Sequence, residues 1–177
     1  GWTPGQQVYF YSTFSSPIKE CVLYVDDRRM EGMTSAEGTN IKALLTIESN
    51  TGELEVRTAL SSVDTQGAAK NLWAETKNKT FDAIREEAAG KWHDVLGQIE
   101  IETTDRKKKE LFYTSLHNVM LYPFLFSDVD HCFRGPDWQV HQTDGFDYYG
   151  GVIGFWDTFR AACPLLSVLH PEVAEDY

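Results

Sequence analysis

Two periodicities divide this chain. Before about residue 65 apolar and polar side chains alternate in short runs, the period of strands; beyond about residue 78 apolar residues recur at steps of three and four, the period of helices. Residues 8–14 are aromatic and β-branched and stop at Pro17, and residues 21–25 close at Asp26-Asp27. A polar loop is predicted over 28–39. Two further runs, 41–48 and 53–60, flank Asn50-Thr51-Gly52, a hairpin signal. In the second run Leu54, Val56 and Thr58 alternate with Glu53, Glu55 and Arg57, so one face is dry and the other wet. Four such strands with short turns make part of a β-sandwich and are too few to close one.

The change of period falls between Val63 and Asn78. Phe81, Ile84, Ala88, Trp92 and Val95 form a stripe behind Thr80, a suitable N-cap with Asp82 just inside it, and Gly97 is placed to end the helix. After a short alternating piece at 98–102, Asp105 caps a second helix. Its apolar face carries Leu111, Phe112, Leu116, Val119 and Met120, and Pro123 ends it. At about 1.5 Å per residue this helix is roughly 25 Å long, a length suited to a helix-on-helix barrel. Residues 124–154 are too many for a mere connection, and loops of that length are usually functional. A third stripe, Phe155, Phe159, Ala162, Leu166 and Leu169, predicts a helix over 155–169 that Pro164 kinks or breaks. The fold class is therefore mixed: an all-β part followed by an all-α part.

Charge and composition remove several classes of function. A net charge of −11 argues against a nucleic-acid partner, and the one basic run, residues 106–109, is a solvated helix face. No apolar run approaches eighteen residues, so no membrane span is predicted. The high aromatic share fits carbohydrate recognition and equally fits β-rich cores. Cys21, Cys132 and Cys163 are far apart and odd in number, which is neither a metal spacing nor a disulfide framework. The chain opens Gly-Trp-Thr-Pro with no Met and no signal peptide, as a fragment or processed product does, and export cannot be read from it.

Chemistry concentrates in residues 145–160. Glycines at 145, 150, 151 and 154 permit backbone angles closed to other residues, and Trp156 and Asp157 follow in the first turn of the third predicted helix. A carboxylate beside a flat apolar ring suits a sugar, whose hydroxyls seek a charged acceptor and whose C–H face seeks a ring. The same pair also reads as a helix-capping acid beside a core tryptophan. Asp128, Asp130, Asp137, Asp144, Asp147 and Asp157 offer many carboxylate pairs, and counting them selects none as a catalytic couple. Asp128-Val129-Asp130 begins like a calcium loop, but Cys132 and a missing glycine break that pattern. His117, His131 and His141 share no zinc spacing, and neither a phosphate-binding glycine loop nor a nucleophile elbow is present.

Taken together, the segments 145–149, 155–160 and Pro164-Leu165-Leu166 resemble glycoside hydrolase family 92, the calcium-dependent, inverting, exo-acting α-mannosidases. Residues 126–130 with Arg134-Gly135, residues 112–116, residues 61–64, and residues 69–72 with Glu75 are similar to other parts of that family, in the same order. The resemblance implies an N-terminal β-sandwich packed on an (α/α)6 barrel. Residues 1–67 would then be the last strands of the sandwich, 68–103 a linker helix region and 104–177 the first helices of the barrel. It also implies that Trp156 and Asp157 line the pocket for a terminal mannose. Asp147 and Arg134 are further candidates, each explained as well by an ion pair or a loop anchor.

The family's general acid and base fall in segments that would follow Tyr177, so no catalytic residue is expected in this chain. Calcium would be held by residues outside it. The implied partners are an α-mannoside or glycan and the parts that complete the fold, and the implied compartment is secreted, periplasmic or cell-surface. His131-Cys132-Phe133-Arg134 and Asp137-Trp138-Gln139 depart from the family's loop and leave the preferred linkage open. Two rivals stand beside this reading: a non-catalytic carbohydrate-binding or scaffold protein, and another sandwich-plus-barrel enzyme such as a glycoside phosphorylase.

Overall fold

Strands come first and helices second. The computed structural model describes residues 5–150 and 155–177, and their contacts divide the chain into two units: Ser12–Thr58, and residues 5–11 together with 59–177. Five strands open the chain: β1 (Tyr9–Phe14), β2 (Ile18–Val25), β3 (Arg28–Met30), β4 (Ile41–Ile47) and β5 (Val56–Ser61). In the smaller unit β2 lies between β3 and β4 in an antiparallel sheet, while β1 and β5 form a sheet of their own.

Two turn expectations fail in this region, and the expected dry face of 53–60 is not dry, since Leu54, Val56 and Thr58 are exposed while Glu55 and Arg57 are half-buried. The predicted loop over 28–39 begins with a strand, because Val25 pairs with Arg28 and Leu23 with Met30. The turn between them is Asp26-Asp27, with φ of 48° and 61°. Two successive left-handed residues make the tight hairpin turn whose twist matches its strands, and aspartate tolerates that region better than most side chains. The second failure is at Asn50-Thr51-Gly52. These residues do turn the chain, with Gly52 at φ 76°, but β4 pairs with β2 and β5 with β1. Turn chemistry is local, whereas strand pairing is settled by the apolar faces that meet across the sheet.

In the larger unit α1 (Thr65–Thr76), α2 (Phe81–Leu96) and α3 (Arg106–Met120) each start at a side-chain cap. Gly67 N–H donates to Asp64 Oδ1 at 2.7 Å and Ala83 N–H to Thr80 Oγ1 at 3.2 Å. Asp105 Oδ1 accepts from Lys107 and Lys108 N–H at 3.0 and 3.2 Å. Each cap satisfies donors that a helix start leaves without partners. Ala68 and Leu72, four residues apart on α1, are buried, as is Leu116 of α3. By contrast α2 has no buried residue, and Phe81 at the head of its stripe is 66% exposed. Trp92 rests on His117 of α3 at 4.2 Å between ring centroids, which gives that histidine a packing role. Residues 98–102 contain no strand; Ile99 O accepts instead from Tyr113 O–H at 3.0 Å.

The long segment after α3 is a folded excursion. Its outgoing half contains β6 (Phe124–Leu125) and β7 (Cys132–Arg134), its returning half β8 (Val140–Gln142) and β9 (Tyr149–Gly150). β6 pairs with β9 and β7 with β8, both antiparallel. The expected single helix over 155–169 is broken into α4 (Phe155–Thr158) and α5 (Ala162–Leu169), followed by α6 (Pro171–Asp176). The break precedes Pro164, which is the third residue of α5. Proline lacks an N–H and clashes with the carbonyl four residues earlier, so it is tolerated in a first turn and ends what comes before.

Candidate functional site

The excursion over 124–150 is held at three points on its outgoing half. Asp128, only 4% exposed, accepts from Ser61 O–H at 2.6 Å and from Asn71 Nδ2 at 2.8 Å. Asn71 also donates to Leu60 O at 2.9 Å and accepts from Val129 N–H at 2.9 Å. Asp130 pairs with Lys70 at 2.6 Å. The hydrogen bond from Lys70 holds the Asp130 carboxyl below its ordinary value, and Asp130 in turn raises Lys70. Burial, then the Asp130 charge, pushes the neighbouring Cys132 thiol up.

Arg134 is the third point. Its guanidinium donates to Ser62 O at 2.8 Å, Val63 O at 2.9 Å and Trp138 O at 2.9 Å. Three carbonyls occupy a planar fork whose five donors are fixed in direction. The anchoring side chains are thus spread over the junction after β5, the first turns of α1 and the loop itself.

The returning half is registered on the outgoing one. Tyr148 O accepts from Phe126 N–H at 2.9 Å and Ser127 N–H at 3.2 Å, and the Tyr148 ring stacks on Phe133 at 3.9 Å. This places Asp147 over a cleft of about 710 Å³ that Asn71, Glu75, Phe126, Asp128 and His131 also line. The Asp147 carboxylate stands 3.8 Å from His131 Nδ1, and its N–H donates to Asp176 Oδ2 at 2.9 Å. Burial, with the charges of Asp147, Asp176 and Glu172, raises the adjacent Tyr149 phenol.

Trp156 and Asp157 lie on α4, a helix of four residues. Trp156 is 85% exposed and so is not a core residue among the described residues. Asp157 is exposed as well, and among the described residues it makes no hydrogen bond or ion pair. It is the third residue of α4 rather than its cap. Of the four glycines expected to deliver the pair, Gly145 turns the chain at φ 81° and Gly150 ends β9, while Gly151 and Gly154 lie outside the described residues. No hydrogen bond or ion pair among the described residues joins Trp156 or Asp157 to Asp147 or Arg134.

The calcium-loop likeness of Asp128-Val129-Asp130 does not become a site. Both carboxylates are taken up by protein donors, and among the described residues no group of three His, Cys, Asp or Glu side chains could hold a metal ion. Asp128 and Asp130 are therefore not free to act together as a calcium-binding pair. Sequence reasoning also passed over Ser61, Gly67 and Asn71 as working residues. A glycine and an asparagine inside a helix, against local propensity, were the available signal.

Comparison with known proteins agrees with this architecture. Residues 67–177 match the glycosyl hydrolase family 92 catalytic domain. The family 92 α-mannosidase BT3965 of Bacteroides thetaiotaomicron superposes with a TM-score of 0.87 at 35% identity, over 98% of this chain and 24% of that one. It has also been solved in complex with mannoimidazole. The inverting mannosidase BT2199 of Bacteroides thetaiotaomicron VPI-5482 gives 0.85 at 32% identity, over 94% of this chain and 23% of its own. The family 92 glycosyl hydrolase ccman5 gives 0.87 at 26% identity, over 96% and 23%. None of the curated proteins matches the chain. The chain spans about a quarter of the length of these solved structures, and its own residues place it in glycosyl hydrolase family 92.

Proposed function

We propose that this chain is a segment of an exo-acting α-mannosidase whose intact form releases terminal mannose from α-mannosides with inversion. The observation that carries this is the match of residues 67–177 to the family 92 catalytic domain. The likeness to α-mannosidases, one of them solved with mannoimidazole, supports it. On this reading residues 1–67 close a β-sandwich, 68–103 form a linker helix region and 104–177 begin an (α/α)6 barrel. The rest of the parent, or another chain, covers what the stripe of α2 leaves exposed, Phe81 above all.

In the same reading Trp156 walls one face of the mannose ring and Asp157 accepts from its hydroxyls. The exposure of both side chains supports that role. Hydrogen bonds to a carboxylate are about twice as strong as neutral ones. Asp147 is a second hydroxyl acceptor at the cleft, and Arg134 serves the loop rather than the sugar. An inverting glycosidase needs two carboxyl groups about 6.5–9.5 Å apart, with water between one of them and the sugar. Both are assigned to segments beyond Tyr177, as are the calcium ligands, and the parent works in a secreted, periplasmic or cell-surface setting.

The test is hydrolysis of an aryl α-mannoside by the intact parent, with and without a calcium chelator, followed by NMR of the first anomer released. Calcium-dependent release of the β-anomer is expected, and the 177-residue chain alone should give no turnover. Turnover by that chain would refute the placement of the catalytic pair. An α-anomer released first would overturn inversion, and a requirement for phosphate would move the parent to the phosphorylases.

A further inference from the structure

Asp128 is a buried carboxylate to which no substrate or catalytic role has been given. Its surroundings are built to receive it. A Cβ at Gly67 would land on Asp128 Oδ2 and stand 2.7 Å from Ser61 Oγ. Gly67 is the third residue of α1, and glycine is the poorest helix former after proline. Its φ is not left-handed, so the backbone does not demand glycine there. The close approach of the carboxylate does. The first turn of a twelve-residue helix is also where a negative charge is favoured by the helix dipole.

We propose that Asp128, admitted by Gly67, is the positioning residue that sets where Asp147 stands in the cleft. The outgoing half of the excursion is tied to α1 and the β5–α1 junction by Asp128, Lys70–Asp130 and Arg134. Among the described residues the returning half has no hydrogen bond to α1 or to that junction. It is held by the β6–β9 and β7–β8 ladders, by Tyr148 O and by Thr143 N–H to His131 O at 2.9 Å. At Asp147 it is tied to Asp176 as well. Asp128 sits midway along the outgoing half, with its own N–H on Cys132 O and its C=O on His131 N–H, both at 2.8 Å. Displacing its carboxylate shifts the strand on which the returning half is registered, and Asp147 moves with it.

Three variants separate the anchor from the fold. Gly67→Ala removes no polar group and improves the helix propensity of α1, yet it drives the carboxylate out. Asp128→Asn removes the charge, and Ser61→Ala deletes one donor and carries the same test if Asp128→Asn fails to fold. In the 177-residue chain, Gly67→Ala and Asp128→Asn should speed amide exchange over 124–150 by about tenfold or more, the scale of one charged hydrogen bond, and leave α3 unchanged. Unchanged exchange over 124–150 overturns the anchor.

The positioning arm rests on the mannosidase reading and uses the intact parent. Gly67→Ala should raise KM for an aryl α-mannoside by roughly tenfold when assayed well below the variant's own melting temperature, with kcat less affected, as expected when a binding contact is misplaced. A parent that turns over normally with an unmoved KM overturns the positioning role and leaves the mannosidase reading standing. A wild-type parent without turnover sinks that reading, and exchange then decides the anchor alone.

Discussion

Replacing Asn71 with alanine removes three hydrogen bonds at once. The side chain donates to Leu60 O at 2.9 Å and to Asp128 Oδ1 at 2.8 Å, and accepts from Val129 N–H at 2.9 Å. The bond to Asp128 is buried and charge-assisted, contributing about 1.5–3 kcal/mol, and the two partly buried backbone bonds about 0.5–1.5 kcal/mol each. Alanine returns about 0.6 kcal/mol of helix propensity. The net loss is then about 2–5 kcal/mol, against a stability of about 5–15 kcal/mol for an ordinary domain. Urea unfolding followed by far-ultraviolet circular dichroism reads it, because the helices all belong to the unit that carries Asn71. Asn71→Asp keeps the shape, sets a second carboxylate against Asp128, and should be at least as damaging. A loss below about 1 kcal/mol for Asn71→Ala, less than one such bond, would refute the reasoning.

Three further outcomes follow from other parts of the molecule. In the intact parent Asp157→Asn should lower kcat/KM by about tenfold to a hundredfold for a lost charged hydrogen bond, with melting temperature unmoved because Asp157 is exposed and makes no hydrogen bond among the described residues; near-normal efficiency removes it from the site. Asp130, held low by Lys70, should add stability that is present above its ordinary value of 3.8 and lost as pH falls through the depressed folded value. Lys70, raised by Asp130, should add stability below its ordinary value of 10.5 that is lost as pH rises through its folded value. Lys70→Met should flatten both limbs of a melting-temperature profile. Arg134→Lys keeps the charge but cannot span three carbonyls, so limited proteolysis should cut within 124–150 faster than in the wild type.

What could be read in advance was what lies close in sequence. Thr80 and Asp105 were recognisable because a cap and the N–H groups it satisfies are two or three residues apart. The stripe of α2 was equally plain, although nothing in it foretold that Phe81 at its head stays exposed and that none of the stripe is fully buried among the described residues. Strand partners were not readable: the Asn50–Gly52 turn has the right chemistry for a hairpin that its flanking strands do not make. At the candidate site, Trp156 and Asp157 stood out as an acid beside a ring within a glycine-rich stretch. The anchor of the neighbouring loop did not. Asp128 meets Asn71 across 57 positions and Ser61 across 67, and nothing near any of the three in sequence points to the other two. Pro164 announced a break, and the chain made it one turn earlier because the proline was acceptable at the start of α5.

The pairing of β1 with β5 bears on how this protein can change over evolutionary time. Ser12 Oγ and Thr58 Oγ1 are 2.8 Å apart, Ser15 N–H reaches Glu55 O at 2.9 Å, and Glu55 N–H reaches Ser15 Oγ at 3.0 Å. The chain therefore leaves the unit 12–58 beside the point at which it came in. Insertions and deletions between those two points lengthen or shorten a side excursion without changing the separation of its ends, the arrangement in which added segments are best tolerated. The residues from Ser61 to Asn71 that hold the loop lie outside that excursion. Relatives can accordingly differ freely in the length of this stretch while keeping the same residues at the junction.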